Sequence, residues 1–201
     1  MKNIDSLKYF LEKAVFETLK SGGLDVSKYA IAGGAIRDYL TGDKIKDIDI
    51  FCQDKESEEV LLKYLQEKYI LLNENNLLGN FTVNDRWIQV IKGKYGDLST
   101  DDLIKSFDFT ICGAMMRGNG EFKFLPTFFQ DCLAKHLRIN GIPFPLSTLE
   151  RMQKYIKKGY TACNGTLLSV AKAIQTVNLD NPSQDTLRFY PDGTPRFFGV
   201  D

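Results

Sequence analysis

Residues 31–51, IAGGAIRDYLTGDKIKDIDIF, constrain the fold of this 201-residue chain more than any other stretch. They combine a short apolar run, a Gly-Gly pair, a helix-like stretch and the alternating sequence Asp-Ile-Asp-Ile. An alternation with period two predicts a strand at residues 46–51, in which Asp47 and Asp49 share one face while the isoleucines enter the core. The sequence therefore predicts a strand–turn–helix–strand unit that carries two carboxylates side by side.

Two neighbouring carboxylates repel each other unless a cation lies between them. A hard divalent cation suits two carboxylate ligands, and Mg²⁺ in such a site usually coordinates a substrate phosphate. The pair Gly33-Gly34 follows a predicted strand at 29–32 and precedes a predicted helix at 35–40. Such a turn exposes backbone N–H groups at the N-terminus of the helix, and these groups can bind an anion. Arg37, in the first turn of this helix, adds a positive charge for a triphosphate. Neither GxxxxGK[ST] nor GxGxxG is present.

The motif GGAIRD at residues 33–38, followed by KDID at 46–49, resembles the head-domain signature of the tRNA nucleotidyltransferase (CCA-adding) and bacterial poly(A) polymerase family. This family lies within the polymerase β-like nucleotidyltransferase superfamily. The resemblance implies an α+β fold, with a mixed sheet flanked by helices and a short C-terminal helical neck. It implies that Asp47 and Asp49 are catalytic and bind Mg²⁺. It also implies nucleotide binding by Gly33, Gly34, Arg37 and Asp38.

The sequence FDFTI at residues 107–111 resembles the segment with which this family recognises ribose. Only Asp108 carries over cleanly, and a carboxylate that accepts hydrogen bonds from ribose hydroxyls is chemically sensible. The alternative is that Asp108 merely begins a strand. A third carboxylate, which the superfamily often has on a neighbouring strand, is replaced here by Gln89, whose amide can coordinate a metal but adds no charge.

Two later segments extend the resemblance. Residues 131–138, DCLAKHLR, are similar to the segment that ends the family's head, and the next helix is similar to its neck. Arg151 and Lys154 lie three residues apart, share a face of this helix and on the family model approach the nucleotide. Ser147 and Thr148 stand where the acidic residues that template the base in CCA-adding enzymes would be expected. The preferred base is therefore left open.

The composition indicates an ordinary soluble globular protein. Lys plus Arg equals Asp plus Glu at 26 each, so the chain has no excess of positive charge that would indicate a nucleic-acid partner. The four cysteines lack CxxC spacing, which argues against a zinc site or a disulfide framework. No long apolar run is present, and the N-terminus is an amphipathic helix pattern rather than a signal sequence. We expect a cytoplasmic protein with no membrane partner.

The periodic segments divide the chain into three parts. We expect a nucleotidyltransferase head at residues 1–140, a helical neck-like segment at 141–177 and an irregular tail at 178–201. Hydrophobic periodicity predicts helices at 4–19, 57–68, 146–158 and 167–176, strands at 69–72, 80–83 and 87–91, and a hairpin that joins the apolar run 107–116 to 121–125.

The function predicted from these features is Mg²⁺-dependent transfer of NMP from an NTP to an acceptor, with an RNA 3′ end as one candidate. Only one clear helix and the tail follow residue 160, which argues against dedicated CCA addition. Two alternatives stay open: a nucleotide-binding regulatory module with weakened catalysis, and a nucleotidyltransferase that modifies a protein. The sequence leaves the oligomeric state open.

Overall fold

The computed structural model describes residues 1–75 and 78–177, together with two two-residue strands near the C-terminus. Its helices are α1 (Ile4–Leu11), α2 (Glu17–Ser21), α3 (Gly34–Thr41), α4 (Lys55–Lys68), α5 (Asp102–Lys105), α6 (Phe128–Ala134), α7 (Pro145–Lys157) and α8 (Asn164–Gln175). Its strands are β1 (Tyr29–Ala32), β2 (Asp47–Cys52), β3 (Ile70–Glu74), β4 (Leu78–Val83), β5 (Arg86–Ile91), β6 (Ala114–Arg117), β7 (Phe122–Phe124), β8 (His136–Leu137), β9 (Thr161–Ala162), β10 (Arg188–Phe189) and β11 (Pro195–Arg196).

The chain divides into two compact units. The first comprises residues 1–105 and 112–128, and the second comprises residues 106–111 and 129–201. The first unit holds the whole of the large sheet, and the second holds α7 and α8. The head, neck and tail boundaries at residues 140 and 177 stay predictions. Of the predicted tail, the structure describes only the antiparallel pair β10–β11.

The first unit is built on a seven-stranded sheet in the order β3-β4-β5-β2-β1-β6-β7. The pair β2–β5 is parallel and every other neighbouring pair is antiparallel. Helices α3 and α4 contact β2. This mixed sheet flanked by helices confirms the predicted α+β fold.

Strand β2 has the alternation that its sequence predicts. Ile48 and Ile50 are fully buried, whereas Asp47 and Asp49 are half-buried on the opposite face. The same buried face includes Gly79 of β4, where a Cβ atom would lie 3.1 Å from Leu62 of α4. The isoleucines therefore face the core beneath α4, and the aspartates occupy the other side of the sheet.

The helices that pack against the sheet follow their predicted ranges closely. Residues 4–21 are helical throughout, because a π-helical segment at Glu12–Phe16 joins α1 to α2. Helix α4 begins at a capping box, in which the Asp54 carboxylate accepts the Ser57 N–H and the Ser57 hydroxyl accepts the Asp54 N–H. Two buried N–H groups at this helix end are thereby satisfied.

The apolar run 107–116 is not one strand. A 3-10 turn at Thr110–Cys112 precedes β6, which begins only at Ala114 and pairs with β7. The hydroxyl of Thr110 donates to the Asp131 carboxylate at 2.7 Å, and its N–H donates to the Arg138 carbonyl. Polar contacts of the second unit thus interrupt an apolar pattern that alone favours extended structure.

The second unit is organised around aromatic side chains. The Tyr155 ring of α7 makes edge contacts with the rings of Phe109 and Tyr160, at centroid distances of 5.6 and 5.9 Å. Short parallel pairing of β8 with β9 closes this unit. Within residues 1–75 and 78–177, no helix has the length and apolar character needed to cross a membrane.

We expect Ile50→Ala to lower the free energy of unfolding by about 3 kcal/mol, because it leaves a cavity at the centre of the sheet. Val60→Ala on the exposed side of α4 is the matched control and should change it by no more than about 0.5 kcal/mol. Urea denaturation measures both. Equal effects of the two substitutions would contradict the assignment of the core face.

Candidate active site

The Gly-Gly turn lies beside the two aspartates. Strand β1 pairs with β2 so that Ala32, its last residue, is opposite Asp49. Gly33 and Gly34 follow directly and begin α3. The Gly-Gly turn and the N-terminus of α3 therefore lie at the end of β1. The Asp47–Asp49 pair lies next to them, on the neighbouring strand β2.

The conformation of this turn requires glycine. Gly33 has φ 87° and ψ −136°, a region that residues with a Cβ atom rarely adopt. Its N–H donates to the Ala114 carbonyl at 2.9 Å, which anchors the turn to β6. The next N–H groups belong to the first turn of α3, where an α-helix offers donors without an intrahelical acceptor. The local structure therefore presents backbone donors next to the aspartates.

Arg37 and Asp38 form a buried ion pair. Both residues are at most 5% exposed, and Arg37 Nη2 lies 2.7 Å from Asp38 Oδ1. Arg37 also contacts the Cys112 sulfur at 3.5 Å, and its Nη2 would be 3.4 Å from a Cβ atom at Gly34. The guanidinium thus lies beneath the turn with its charge balanced by its neighbour. Direct contact of Arg37 or Asp38 with a nucleotide stays a prediction.

Gln89 occupies the position next to Asp49 on the neighbouring strand. In the parallel pair β2–β5, Asp47 is aligned with Trp87 and Asp49 with Gln89. Aligned residues of paired strands direct their side chains to the same face. We call this side of the sheet the aspartate face. The register therefore confirms that the place predicted for a third carboxylate carries an amide.

The oxygen atoms on this face suit a hard cation. Asp47 Oδ2, Asp49 Oδ1 and Gln89 Oε1 are all buried. In the described part of the chain, no group of three or more His, Cys, Asp or Glu side chains could hold a metal ion. Mg²⁺ is commonly bound through one or two carboxylates, with water and substrate phosphates completing its octahedron. Asp47 and Asp49 fit that requirement.

Asp108 lies in the second unit, where it pairs with Arg151. The Arg151 Nε atom is 2.9 Å from Asp108 Oδ2, and Asp108 Oδ1 accepts the Phe109 N–H at 3.0 Å. Burial raises the pKa of the Asp108 carboxyl above its usual 3.8, while the Arg151 charge and the backbone N–H oppose that rise. The sequence singled out both residues but did not predict that they pair. Their nucleotide-binding role stays a prediction.

In residues 131–138, DCLAKHLR, Asp131 makes the polar contacts that hold this segment in the second unit. Its fully buried carboxylate accepts the Thr110 hydroxyl and lies 3.0 Å from Arg138 Nε. Asp131 and Arg138, the acidic and the last basic residue of this segment, are thus joined to each other within the second unit. Lys154 is half-buried on α7, one turn from Arg151, and its predicted contact with a nucleotide is untested.

Trp87 is a feature of the aspartate face to which the sequence assigned no role. Its side chain is 51% exposed although it is aligned with Asp47 in the middle of the sheet. Single exposed aromatic side chains are common on protein surfaces, and Tyr9 is more exposed still, so what distinguishes Trp87 is its position beside Asp47. The pairing of β2 with β5 was the missing information, since it alone brings Trp87 beside the aspartates.

The fold is similar to that of CCA-adding enzymes. A CCA-adding enzyme in apo form I matches with a TM-score of 0.60 and 20% identity over 86% of this chain. The Thermotoga maritima CCA-adding enzyme complexed with tRNA matches at 0.58 and 18% over 87%, and the Bacillus stearothermophilus enzyme with CTP at 0.55 and 21% over 83%. These matches cover 46%, 45% and 42% of the enzymes' own chains. The chain therefore has a nucleotidyltransferase-like head fold and spans less than half the length of these enzymes.

The family is defined by sequence. A family model described as Gabija anti-defense 2 family protein matches residues 5–135, which is more than half of the chain. The chain belongs to this family. No curated protein matches it. The family differs from the tRNA nucleotidyltransferase family that the motifs resemble, although the fold is shared.

We expect Arg151→Met to be destabilising in a pH-dependent way. Because the folded-state pKa of Asp108 lies above its unfolded value, stability is greatest where Asp108 is protonated and falls as pH rises through the folded pKa. Removing the Arg151 charge raises that pKa further and deepens the fall. Urea denaturation should show a loss of about 3 kcal/mol at pH 7 and a smaller loss at pH 4.

Lys157→Met is the matched control, since Lys157 is exposed on the same helix. It should leave the free energy of unfolding within about 0.5 kcal/mol of the wild-type value at both pH values. A loss in Arg151→Met that is equal at pH 4 and pH 7 would show that the ion pair does not control Asp108.

Proposed function

We propose that this chain is a Mg²⁺-dependent nucleotidyltransferase that transfers NMP from an NTP to an acceptor. The observation that carries the proposal is the position of the Gly33–Gly34 turn, which directly follows the residue opposite Asp49. A triphosphate needs backbone donors and a cation within reach of each other, and these two features supply both. The nucleotidyltransferase-like fold supports the same reaction.

Asp47 and Asp49 would hold the metal ion. When bound there, Mg²⁺ would polarise the α-phosphate and neutralise charge that develops on the leaving pyrophosphate. Strand β2 keeps the two carboxylates at a fixed separation, because Ile48 and Ile50 anchor it in the core. The aspartates are thereby oriented before substrate binds, which reduces the reorganisation required for reaction.

The triphosphate would lie on the Gly-Gly turn. The glycines let its oxygens approach the backbone closely, and the first N–H groups of α3 would donate to them. Arg37 and Asp38 would act from below by bracing Gly34, and the guanidinium would add a positive potential that Asp38 partly offsets. In this proposal Gly33 and Gly34 contact the triphosphate directly, whereas Arg37 and Asp38 support the turn from beneath.

In the second unit, Asp108 would accept hydrogen bonds from ribose hydroxyls. Asp108 Oδ1 accepts the Phe109 N–H and Oδ2 lies 2.9 Å from Arg151 Nε, and a carboxylate oxygen can accept more than one hydrogen bond. Arg151 would keep Asp108 ionised and therefore able to accept. Lys154, one turn further along α7, would add positive charge for the nucleotide.

Membership of the Gabija anti-defense 2 family supports a role against the defence for which the family is named. An RNA 3′ end and a protein are the two candidate acceptors for such an enzyme. A nucleotide-binding module with weakened catalysis is the third possibility, which Gln89 favours because it withholds one carboxylate from the metal. The cytoplasm, where NTP and Mg²⁺ are both available, is the proposed site of action.

Asp47→Asn and Asp49→Asn should each lower NMP transfer by about a thousandfold, because loss of a charged ligand removes several kcal/mol of transition-state stabilisation. Incorporation of label from α-³²P-NTP measures this. Asp5→Asn, on the exposed side of α1, is the control and should transfer label at the wild-type rate. Wild-type transfer by either β2 variant would overturn the proposed site.

Chelation provides an independent test of the metal. EDTA should abolish transfer and Mg²⁺ should restore it, while Mn²⁺ binding measured by electron paramagnetic resonance should be lost in the Asp47→Asn/Asp49→Asn double variant. The binding measurement does not depend on knowing the acceptor. Unchanged Mn²⁺ affinity in the double variant would show that the metal, if any, binds elsewhere.

The acceptor can be identified by incubating the protein with each labelled NTP, Mg²⁺, total RNA and a lysate of the host proteins. Label in RNA supports the RNA 3′ end, and label in a protein band supports protein modification. Nucleotide binding without label supports the regulatory alternative and overturns the enzymatic proposal.

A further inference from the structure

The aspartate face continues beyond β2 as two rows of aligned side chains on β5, β4 and β3. The first row runs from Asp47 through Trp87, Thr82 and Ile70. The second row runs from Asp49 through Gln89, Asn80 and Asn73. Neighbouring strands lie about 4.8 Å apart, so each row extends the site by a short, regular step. We call the surface formed by Trp87, Gln89, Asn80 and Thr82 the amide–indole strip.

The strip contains polar atoms that lack a protein partner. Gln89 is only 9% exposed, and its Oε1 atom has no hydrogen-bond partner among the described residues. Asn80 donates from Nδ2 to Asn73 Oδ1, while its own Oδ1 is buried and likewise has no partner in the described chain. A buried amide oxygen without a donor is unfavourable, because it has lost its hydrogen bond to water. These atoms therefore indicate a ligand that brings donors to the strip.

The chemistry of the strip matches a nucleobase. The exposed indole of Trp87 offers a flat surface on which any base can stack. The carboxamides of Gln89 and Asn80 offer the paired donor and acceptor that recognise an adenine edge. A peptide side chain would use the amides but would gain less than a base from an aromatic ring beside them. A base satisfies both features at once.

The reaction geometry assigns this base to the acceptor rather than to the incoming NTP. The Gly33–Gly34 turn follows β1, on one side of β2, whereas Trp87 and Gln89 are on β5, on the other side. The attacking and leaving oxygens in phosphoryl transfer are roughly in line across the phosphorus. With a triphosphate on the β1 side, an acceptor hydroxyl that approaches from the β5 side would allow in-line attack.

We propose that the amide–indole strip binds the terminal nucleotide of a single-stranded RNA acceptor, with its base on Trp87 and its 3′-hydroxyl directed toward Asp47 and Asp49. The exposed Lys44 and Lys46, which immediately precede Asp47, add positive charge for the acceptor's phosphates. This assignment rests on the proposed nucleotidyl transfer. In the balanced step, the 3′-oxygen bonds to the α-phosphorus, the bond to the pyrophosphate oxygen breaks, and the hydroxyl proton passes to solvent.

Trp87 is the only tryptophan in the chain, so its fluorescence reports on the strip without background. Oligoadenylate RNA added to the full chain with Mg²⁺ and no NTP should quench this fluorescence. An abasic oligonucleotide with the same number of phosphates should not, because it lacks a base to stack. Equal quenching by both, or quenching by NTP alone, overturns the proposal.

Substitutions separate stacking from a general effect on structure. With fluorescently labelled oligoadenylate, Trp87→Ala should raise the Kd by about tenfold in an anisotropy titration. Trp87→Phe should recover most of the affinity, since it keeps an aromatic face. Tyr9→Ala removes an even more exposed aromatic side chain from α1 and should leave the Kd unchanged. Wild-type affinity in Trp87→Ala overturns the assignment.

The Asp47→Asn variant distinguishes failure of this inference from failure of the proposed function. It should lower transfer of label by about a thousandfold, whereas quenching of the wild-type chain by oligoadenylate should persist in EDTA, because stacking on Trp87 does not need a metal ion. Quenching in a protein that transfers no nucleotide under any condition would retain the RNA subsite and reject the enzyme. Transfer of label to a protein, with no quenching by RNA, would reject the subsite and retain the enzyme.

Discussion

The repulsion between Asp47 and Asp49 is the constraint on which the site depends. Two carboxylates on one face of one strand raise the free energy of the fold unless a cation compensates them. Strand β2 can hold them there because its other face is anchored by Ile48 and Ile50 and because it is hydrogen-bonded on both sides, to β1 and to β5. The structure therefore holds two carboxylates side by side on one face of a strand whose other face is buried.

The neighbours of β2 divide the site into two sides. On the β1 side, the positive φ of Gly33 lets the chain turn into α3, whose first N–H groups lack intrahelical acceptors. On the β5 side, Gln89 and Trp87 replace the usual pattern of a third acid with an amide and an indole. The first side suits a triphosphate, and the second suits a base. This asymmetry supports a direction for the proposed reaction, with the leaving group over β1 and the acceptor over β5.

Local patterns predicted the parts of the fold that local forces determine. The period-two alternation of β2 and the helical periodicity of residues 4–21 and α4 depend only on which face is apolar, so both were predicted correctly. The apolar run at 107–116 was misleading, because Asp131, far away in sequence, binds Thr110 and interrupts the strand. Arg37 looked available for a phosphate, yet packing beneath the turn joins it to Asp38. The role of Trp87 could not be predicted, since it follows from the parallel register of β2 with β5.

The chain belongs to the Gabija anti-defense 2 family and has the nucleotidyltransferase-like head fold of CCA-adding enzymes, and we propose that this head binds a metal–triphosphate. A crystal structure with Mn²⁺ and a non-hydrolysable NTP tests this most directly. The account predicts an anomalous Mn²⁺ peak about 2.1 Å from carboxylate oxygens of both Asp47 and Asp49, with the triphosphate on the Gly33–Gly34 turn. A nucleotide bound away from that turn, or a metal that contacts neither aspartate, would contradict it.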